Sequence, residues 1–402
     1  KQLFRIWRNS QVGVAAARKT CNNWWYRSRD RERHHMMMED SNARHHDTHA
    51  MPPQAICNVY KKYQKMSDAA VDQDLEVVDF KRGLTDVQKK RIIPVDTVKS
   101  GLIVSAQKAF RSCNETGKTD DLEPEIEPEA CTIYEHQDFP GLRLFPNLLP
   151  PECQVMFIDR LLHRDLANPL HKTNINLDYK VPYPPSPSDS SDRLSFFTYP
   201  QNCKDHTYTP LNPRSNHKPL NTVQFLQKKL RWLTLGSQYD WNTRAYPAES
   251  PTPFPPDISA LVTTLFRNAF TPESGVVLLY STKDYMPVHR DVSEECQRGL
   301  ASFSLGCDGL FVIARDKYPG EDEKNEDREL EMVVIRVRSG DVVHMDGETR
   351  WAWHAMPKVM AGTCPEWLEE WPVKEGGRRE YKNWRGYMKG KRLNISCRQV
   401  WG

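Results

Sequence analysis

Near the C-terminus, Arg392, Asn394, Ser396 and Arg398 alternate with Leu393, Ile395 and Cys397. Successive side chains of a strand point to opposite faces, so the stretch is predicted to be a strand with one polar face and one apolar face. The apolar face needs a core to pack against. The polar face carries two arginines and no acid, and a charge turned inward is costly unless it is paired. A strand of this kind belongs between layers and calls for an anion beside it. Arginine makes bidentate, charge-assisted bonds to carboxylates, and a dicarboxylic acid offers one carboxylate at each end.

Upstream lies Val288-His289-Arg290-Asp291. Residues two apart on a strand share a face, so His289 and Asp291 converge while Arg290 faces away. A third ligand from another strand, with His354 the downstream candidate, completes a His, Asp, His set. Such a set occupies one face of a metal and leaves positions open, the arrangement associated with non-haem Fe(II) oxygenases. The tripeptide alone specifies no metal in a chain with 13 histidines, most of which belong on the surface or in the core. His-Arg-Asp also opens the catalytic loop of protein kinases. That loop requires an Asn five residues after the Asp and a later Asp-Phe-Gly. Here the position holds Cys296 and no Asp-Phe-Gly occurs, so the kinase reading fails.

The remaining pattern predicts an α+β chain. Residues 276–281, 302–314, 332–337, 341–345 and 392–401 are short, β-branched or alternating, and bounded by Gly, Pro or Asp, which reads as strands of a jelly-roll-like double sheet. Gly340-Asp341 is expected to turn the chain toward the strand leading to His354, and a catalytic role for Asp341 is disfavoured. Helices are predicted within 52–78, from about 152 to 162, and over 257–270, where Asp257 follows two prolines as a cap and Ile258, Leu261 and Leu265 recur at helical spacing. Residues 139–142 read as a short strand. The acid and proline run at 120–129 resists packing, so a domain boundary is expected near Ala130, and the proline- and serine-rich 182–192 is expected to be a mobile loop.

Composition sets outer limits. Ten cysteines without a Cys-x-x-Cys pair read as reduced thiols of cytosol or nucleus, and no apolar run approaches membrane-spanning length. A net charge of +3 is too small to argue for nucleic acid. The first fifty residues hold Arg5, Arg8, Arg18, Lys19, Arg27 and Arg29 before the first acid, Asp30. That start resembles a mitochondrial transit peptide. Translation beginning at Met36, Met37, Met38 or Met51 accounts for it equally, and the region is expected to be disordered.

The order Tyr280, His289-x-Asp291, Gly340-Asp341, His354, Arg392-x-Asn394-x-Ser396-x-Arg398 resembles the AlkB family of Fe(II)- and 2-oxoglutarate-dependent dioxygenases. The segment Leu230-Arg231-Trp232-Leu233-Thr234-Leu235-Gly236 with Tyr239-Asp240-Trp241-Asn242 is similar to the eukaryotic, fungal-type AlkB homologue-one branch. The resemblance spans roughly residues 131–402. It implies a double-stranded β-helix (jelly-roll) dioxygenase core with flanking helices and a largely disordered N-terminal extension. By the same resemblance His289, Asp291 and His354 bind Fe(II) and form the catalytic centre. Arg392 would pair with the distal carboxylate of 2-oxoglutarate and Arg398 would hold the chelating end, with Tyr280, Asn394 and Ser396 completing that pocket and O2 as the second co-substrate. One departure is Leu278, two residues before Tyr280, where the family usually has Asn. Losing one neutral hydrogen bond there corresponds to about 0.5 to 1.5 kcal/mol, a roughly threefold to tenfold effect.

Two segments mix cations with aromatics, Lys228-Lys229-Leu230-Arg231-Trp232 and residues 378–391. Cations suit phosphates and ring faces suit bases, the pairing expected for single-stranded nucleic acid, although a solvated charged helix accounts for the second segment equally well. The resemblance implies a monomeric enzyme that oxidises a methyl on a base nitrogen, N6-methyladenine in mRNA or DNA or 1-methyladenine in tRNA, yielding formaldehyde, succinate and CO2. It points to Trp232, Tyr239 and Trp241 as the rings that hold a base. The competing expectation is a protein-directed oxygenase or a non-catalytic RNA-binding relative. No membrane partner is expected, and the site of action is expected to be nucleus, cytoplasm or mitochondrion.

Overall fold

In a computed structural model, the described residues are 49–112, 127–185, 194–317 and 329–401, apart from residues 202, 204, 205, 241, 242, 248–250, 268 and 375. Trp241 and most of the expected linker, the loop at 182–192 and the first fifty residues lie outside them. The described residues belong to one compact unit beginning at His46.

The strands are β1 (Ile92–Val98), β2 (Cys131–His136), β3 (Phe139–Phe145), β4 (Tyr179–Lys180), β5 (Thr209–Pro210), β6 (Trp232–Gly236), β7 (Ser274–Ser281), β8 (Met286–His289), β9 (Leu300–Gly306), β10 (Gly309–Asp316), β11 (Leu330–Val337), β12 (Val342–Met345), β13 (Trp353–Val359) and β14 (Lys391–Arg398). An eight-stranded sheet runs β1-β2-β3-β12-β9-β14-β7-β6 and a four-stranded one β11-β10-β13-β8. Their pairings are antiparallel. Side chains of both sheets share one core, in which Leu305, Val343 and Ile395 meet Ile313, Val333 and Ile335. This is the double-sheet jelly roll that the short alternating strands predicted.

Three expectations change. Residues 302–314 form two strands, one in each sheet, because the chain crosses between them at Cys307 and Asp308. Gly306 makes the crossing possible: its φ is +84° and a Cβ would lie 2.4 Å from the Lys391 carbonyl oxygen. The boundary near Ala130 does not divide the described structure, since β1 on one side pairs with β2 on the other. The helix predicted over 257–270 is Pro256–Leu265, with Pro255 at its N-cap position and no side-chain capping bond. Asp257 is not its cap. Fully buried, it takes Arg164 Nη1 at 2.5 Å and Arg160 Nε at 3.3 Å.

The helix Gln54–Lys65 buries Ile56, Cys57, Tyr60 and Tyr63, one stripe at helical spacing. That stripe joins a second core with Val288, Val312 and Ala355, so the helix covers the outer face of the four-stranded sheet. Gly340 and Asp341 turn the chain as expected, with the Asp341 carboxylate accepting from the backbone of Asn147 (2.8 Å) and Arg338 (2.7 Å). No helix among the described residues is long and apolar enough to cross a membrane.

Candidate metal and co-substrate site

β8 ends at His289, and Asp291 lies just beyond the strand. The alternation nevertheless holds: Arg290 turns away and lies 4.4 Å over the Trp353 ring, while Asp291 turns inward. β13 places His354 directly opposite His289 in register. The ligating atoms of His289, Asp291 and His354 lie within 4.8 Å of one another, and His354 Nε2 stands 4.0 Å from Asp291 Oδ2.

Both imidazoles are oriented by the backbone. His289 Nδ1 is 2.8 Å from the Pro287 carbonyl oxygen, and His354 Nδ1 is 3.0 Å from that of Ala352. A carbonyl can only accept, so each Nδ1 carries a proton, and Nε2 is the nitrogen left to face a metal. Burial pushes His354 down to about 4, so it is neutral near pH 7, as a ligand must be. Burial alone would raise the Asp291 carboxyl, but Arg398, then His354, His289 and Arg350, hold it well below the usual carboxylate range. Two imidazoles and one carboxylate are a donor set that fits Fe(II).

β14 lies between β9 and β7 and is buried along its whole length. Its two arginines sit in different surroundings. Arg398 Nη1 is 2.8 Å from Glu294 Oε1, and its Nη2 is 3.2 Å from Asp291 Oδ2. Arg350, fully buried, reaches Glu294 Oε2 at 2.8 Å and donates to the Asp291 carbonyl oxygen at 2.7 Å. Glu294 thus joins both cations and helps fix the loop that carries Asp291.

Arg392 is 0% exposed, and among the described residues it makes no ion pair. It donates to the Cys307 carbonyl oxygen (3.1 Å) and Ser304 Oγ (2.8 Å), while its Nε has no partner. Burial pulls its pKa below the ordinary arginine value. A Cβ on Gly309 would stand 2.9 Å from that Nε, so glycine keeps the space open. An uncompensated buried guanidinium is the observation that fits a carboxylate co-substrate. Tyr280 pairs with Arg392 in register. Asn394 Nδ2 donates to Ser302 Oγ (2.8 Å) and the Phe303 carbonyl oxygen (3.1 Å), and Ser396 is buried on the same strand. Leu278 lies opposite both Asn394 and Trp232.

Of the expected base-holding rings, Trp232 is buried in β6 at 3% exposure and offers little free face. Tyr239 is half-buried beside the metal loop, its Oη 3.4 Å from Ser293 Oγ and its ring 5.3 Å from Tyr246. Sequence reasoning missed Glu294, Arg350, Ser304 and Gly309. Only Glu294, three residues after Asp291, lay near enough to a motif to be noticed.

A jelly roll that gathers two histidines and an aspartate beside a buried arginine with no ion pair among the described residues has the make-up of a non-haem iron oxygenase. Comparison with known proteins agrees: residues 141–398 match the 2OG-Fe(II) oxygenase superfamily. The chain is 43% identical over 276 residues to an N6-methyladenosine RNA demethylase of Pyricularia oryzae, covering 67% of this chain and 76% of that one. It is 44% identical over 229 residues to an N6-methyladenosine RNA demethylase of Cryphonectria parasitica, covering 56% and 99%. A tRNA demethylase of Schizosaccharomyces pombe is 31% identical over 283 residues, covering 69% and 83%. The chain belongs to the AlkB family of 2OG-Fe(II) oxygenases.

Proposed function

We propose that this protein removes methyl groups oxidatively from adenine nitrogens in nucleic acid, N6-methyladenine in mRNA or DNA or 1-methyladenine in tRNA. The observation that carries the chemistry is the cluster of His289, Asp291 and His354 beside Arg398, with Arg392, which makes no ion pair among the described residues, on the same strand as Arg398. The substrate class rests on relatives that act on methylated RNA and tRNA. When bound, Fe(II) with 2-oxoglutarate and O2 supplies hydroxylation of the methyl carbon, with succinate and CO2 as co-products and formaldehyde leaving the base nitrogen. His289, Asp291 and His354 hold the metal, and Arg392 holds the distal carboxylate of the co-substrate. Arg398 neutralises the charge of Asp291 and Glu294 next to the chelating end. Asn394 and Ser396 lie between the arginines on β14, and Tyr280 stands opposite Arg392 on β7, the three completing the co-substrate pocket. The sheets keep the reacting groups away from bulk water, and the protein's part is orientation and exclusion.

Mass spectrometry of nucleosides from methylated tRNA, mRNA and single-stranded DNA tests the reading, after incubation with Fe(II), ascorbate and 2-oxoglutarate. Loss of one methylated nucleoside, absent with His289→Ala, is the expected result. No loss from any nucleic acid while iron and 2-oxoglutarate bind would overturn the substrate assignment and move the search to protein substrates.

A further inference from the structure

The two basic segments, about 150 residues apart in the sequence, meet in the fold. Tyr387 Oη donates to the Leu226 carbonyl oxygen and Lys391 Nζ to that of Gln227, each at 3.0 Å. These bonds fasten residues 378–391 against the turn Gln224–Lys229, where Lys228 is exposed. Each segment runs directly into a strand of the large sheet, the first into β6 and the second into β14 with its two arginines.

The rings of the second segment face inward. Trp384 is buried, donates Nε1 to the Tyr199 carbonyl oxygen at 2.9 Å and meets Phe197 edge-on at 5.5 Å. Tyr387 is buried against Phe197 at 4.9 Å, and Tyr381 lies flat on His163 at 4.4 Å with 5° between planes. Spent on the core, these rings cannot stack bases as the sequence suggested. Apart from the buried Lys391, the cations face outward. Arg379, Lys382 and Arg385, with Lys374, line an open cleft of about 520 Å³. Glu370 pairs with Arg385 and Asp159 with Lys374. Arg378, Arg379 and Lys382 are exposed and make no ion pair among the described residues. Rings anchor the helix Arg379–Trp384 from below, so its charges stand on a fixed support.

We infer that this cleft docks the sugar-phosphate backbone of the nucleic-acid substrate, away from the reacting nucleotide and without reading bases. Unbalanced cations with no stacking surface recognise phosphate charge and nothing else. The inference rests on the nucleic-acid reading above.

The test measures binding of an unmethylated single-stranded oligonucleotide to the full-length protein across a range of salt, comparing wild type with the Arg379→Ala/Lys382→Ala double variant. Each phosphate contact contributes about 0.7 to the slope of log affinity against log salt for single strands, so the slope should fall by about 1.4 and binding should weaken about tenfold near 0.15 M salt. With a methylated oligonucleotide, KM should rise while kcat holds, and turnover of the free methylated nucleoside should not change. An unchanged slope overturns the inference. So does a binding loss confined to vesicles containing phosphatidylserine, which would make the cleft a lipid-phosphate site. Because the binding arm needs no turnover, the two readings fail separately: a lowered slope with no methyl removed sinks only the demethylase, and normal demethylation with an unchanged slope sinks only the dock.

Discussion

The two ends of β14 carry the same side chain in opposite electrostatic conditions. At one end, Arg398 is surrounded by carboxylates, and Glu294, Asp291 and Arg350 complete a buried network. At the other, Arg392 is equally buried but among the described residues donates only to a carbonyl and a hydroxyl. The first arginine is part of the protein's own structure, since removing it leaves two carboxylates short of a counter-charge. The second has no such counter-charge among the described residues, which is why we assign it to a carboxylate of the co-substrate. Buried residues of one type on one strand can thus be sorted into structural and ligand-binding by asking which has its charge balanced from within.

Arg392→Met sets that contrast most sharply. Removing one partner of a buried, hydrogen-bonded charge pair costs about 2 to 5 kcal/mol of binding, so 2-oxoglutarate affinity should fall about thirtyfold or more. The protein without co-substrate should melt no lower than wild type, because an uncompensated buried charge has been replaced by a side chain that needs none. Arg398→Met should do the reverse to stability. Breaking a buried pair costs about 3 to 5 kcal/mol, read in a denaturant melt of the metal-free protein. Glu294→Gln should follow Arg398→Met in direction, and by loosening the loop that carries Asp291 it should lower Fe(II) affinity about tenfold to a hundredfold in a metal titration.

Acid should loosen the fold away from both arginines. Burial pushes His163 and His344 each down to about 4 from an ordinary 6.5. The unfolded chain therefore takes up these protons first, and the stability these residues contribute above pH 6.5 is lost as the pH falls through about 4. Thermal melts across that window should show a loss of up to about 1.4 kcal/mol per pH unit for each histidine. His344→Leu should flatten part of that slope; an unaltered slope would mean that His344 does not titrate there. The smallest effect concerns Leu278→Asn, which restores a hydrogen-bonding side chain opposite Asn394 and should lower the KM for 2-oxoglutarate about threefold to tenfold.

β14 was legible because its alternation spans seven consecutive residues with two charges on one face. His289 and Asp291 were legible because two-residue spacing survives the end of β8. Arg350 was not: it acts on a residue 59 positions earlier through a backbone carbonyl, and no local pattern encodes such a contact. Arg392's partners Ser304 and Cys307 were hidden for a related reason, lying where a run that reads as one strand changes sheets. β1 escaped because four of its seven residues are exposed, so its sequence lacks the alternation of a half-buried strand. The rings of residues 378–391 were visible, but their direction was not. An aromatic beside cations has the same sequence signature whether it faces a base or the core.

Calorimetric titration of 2-oxoglutarate into protein loaded with a divalent metal, for wild type and Arg392→Met, tests the central claim most directly when paired with melts of the same two proteins without ligand. The account expects binding to weaken about thirtyfold or more in the variant while its ligand-free stability is kept or raised. Equal 2-oxoglutarate affinity in the two proteins would contradict it, because Arg392 would then be a buried charge with no anion to meet.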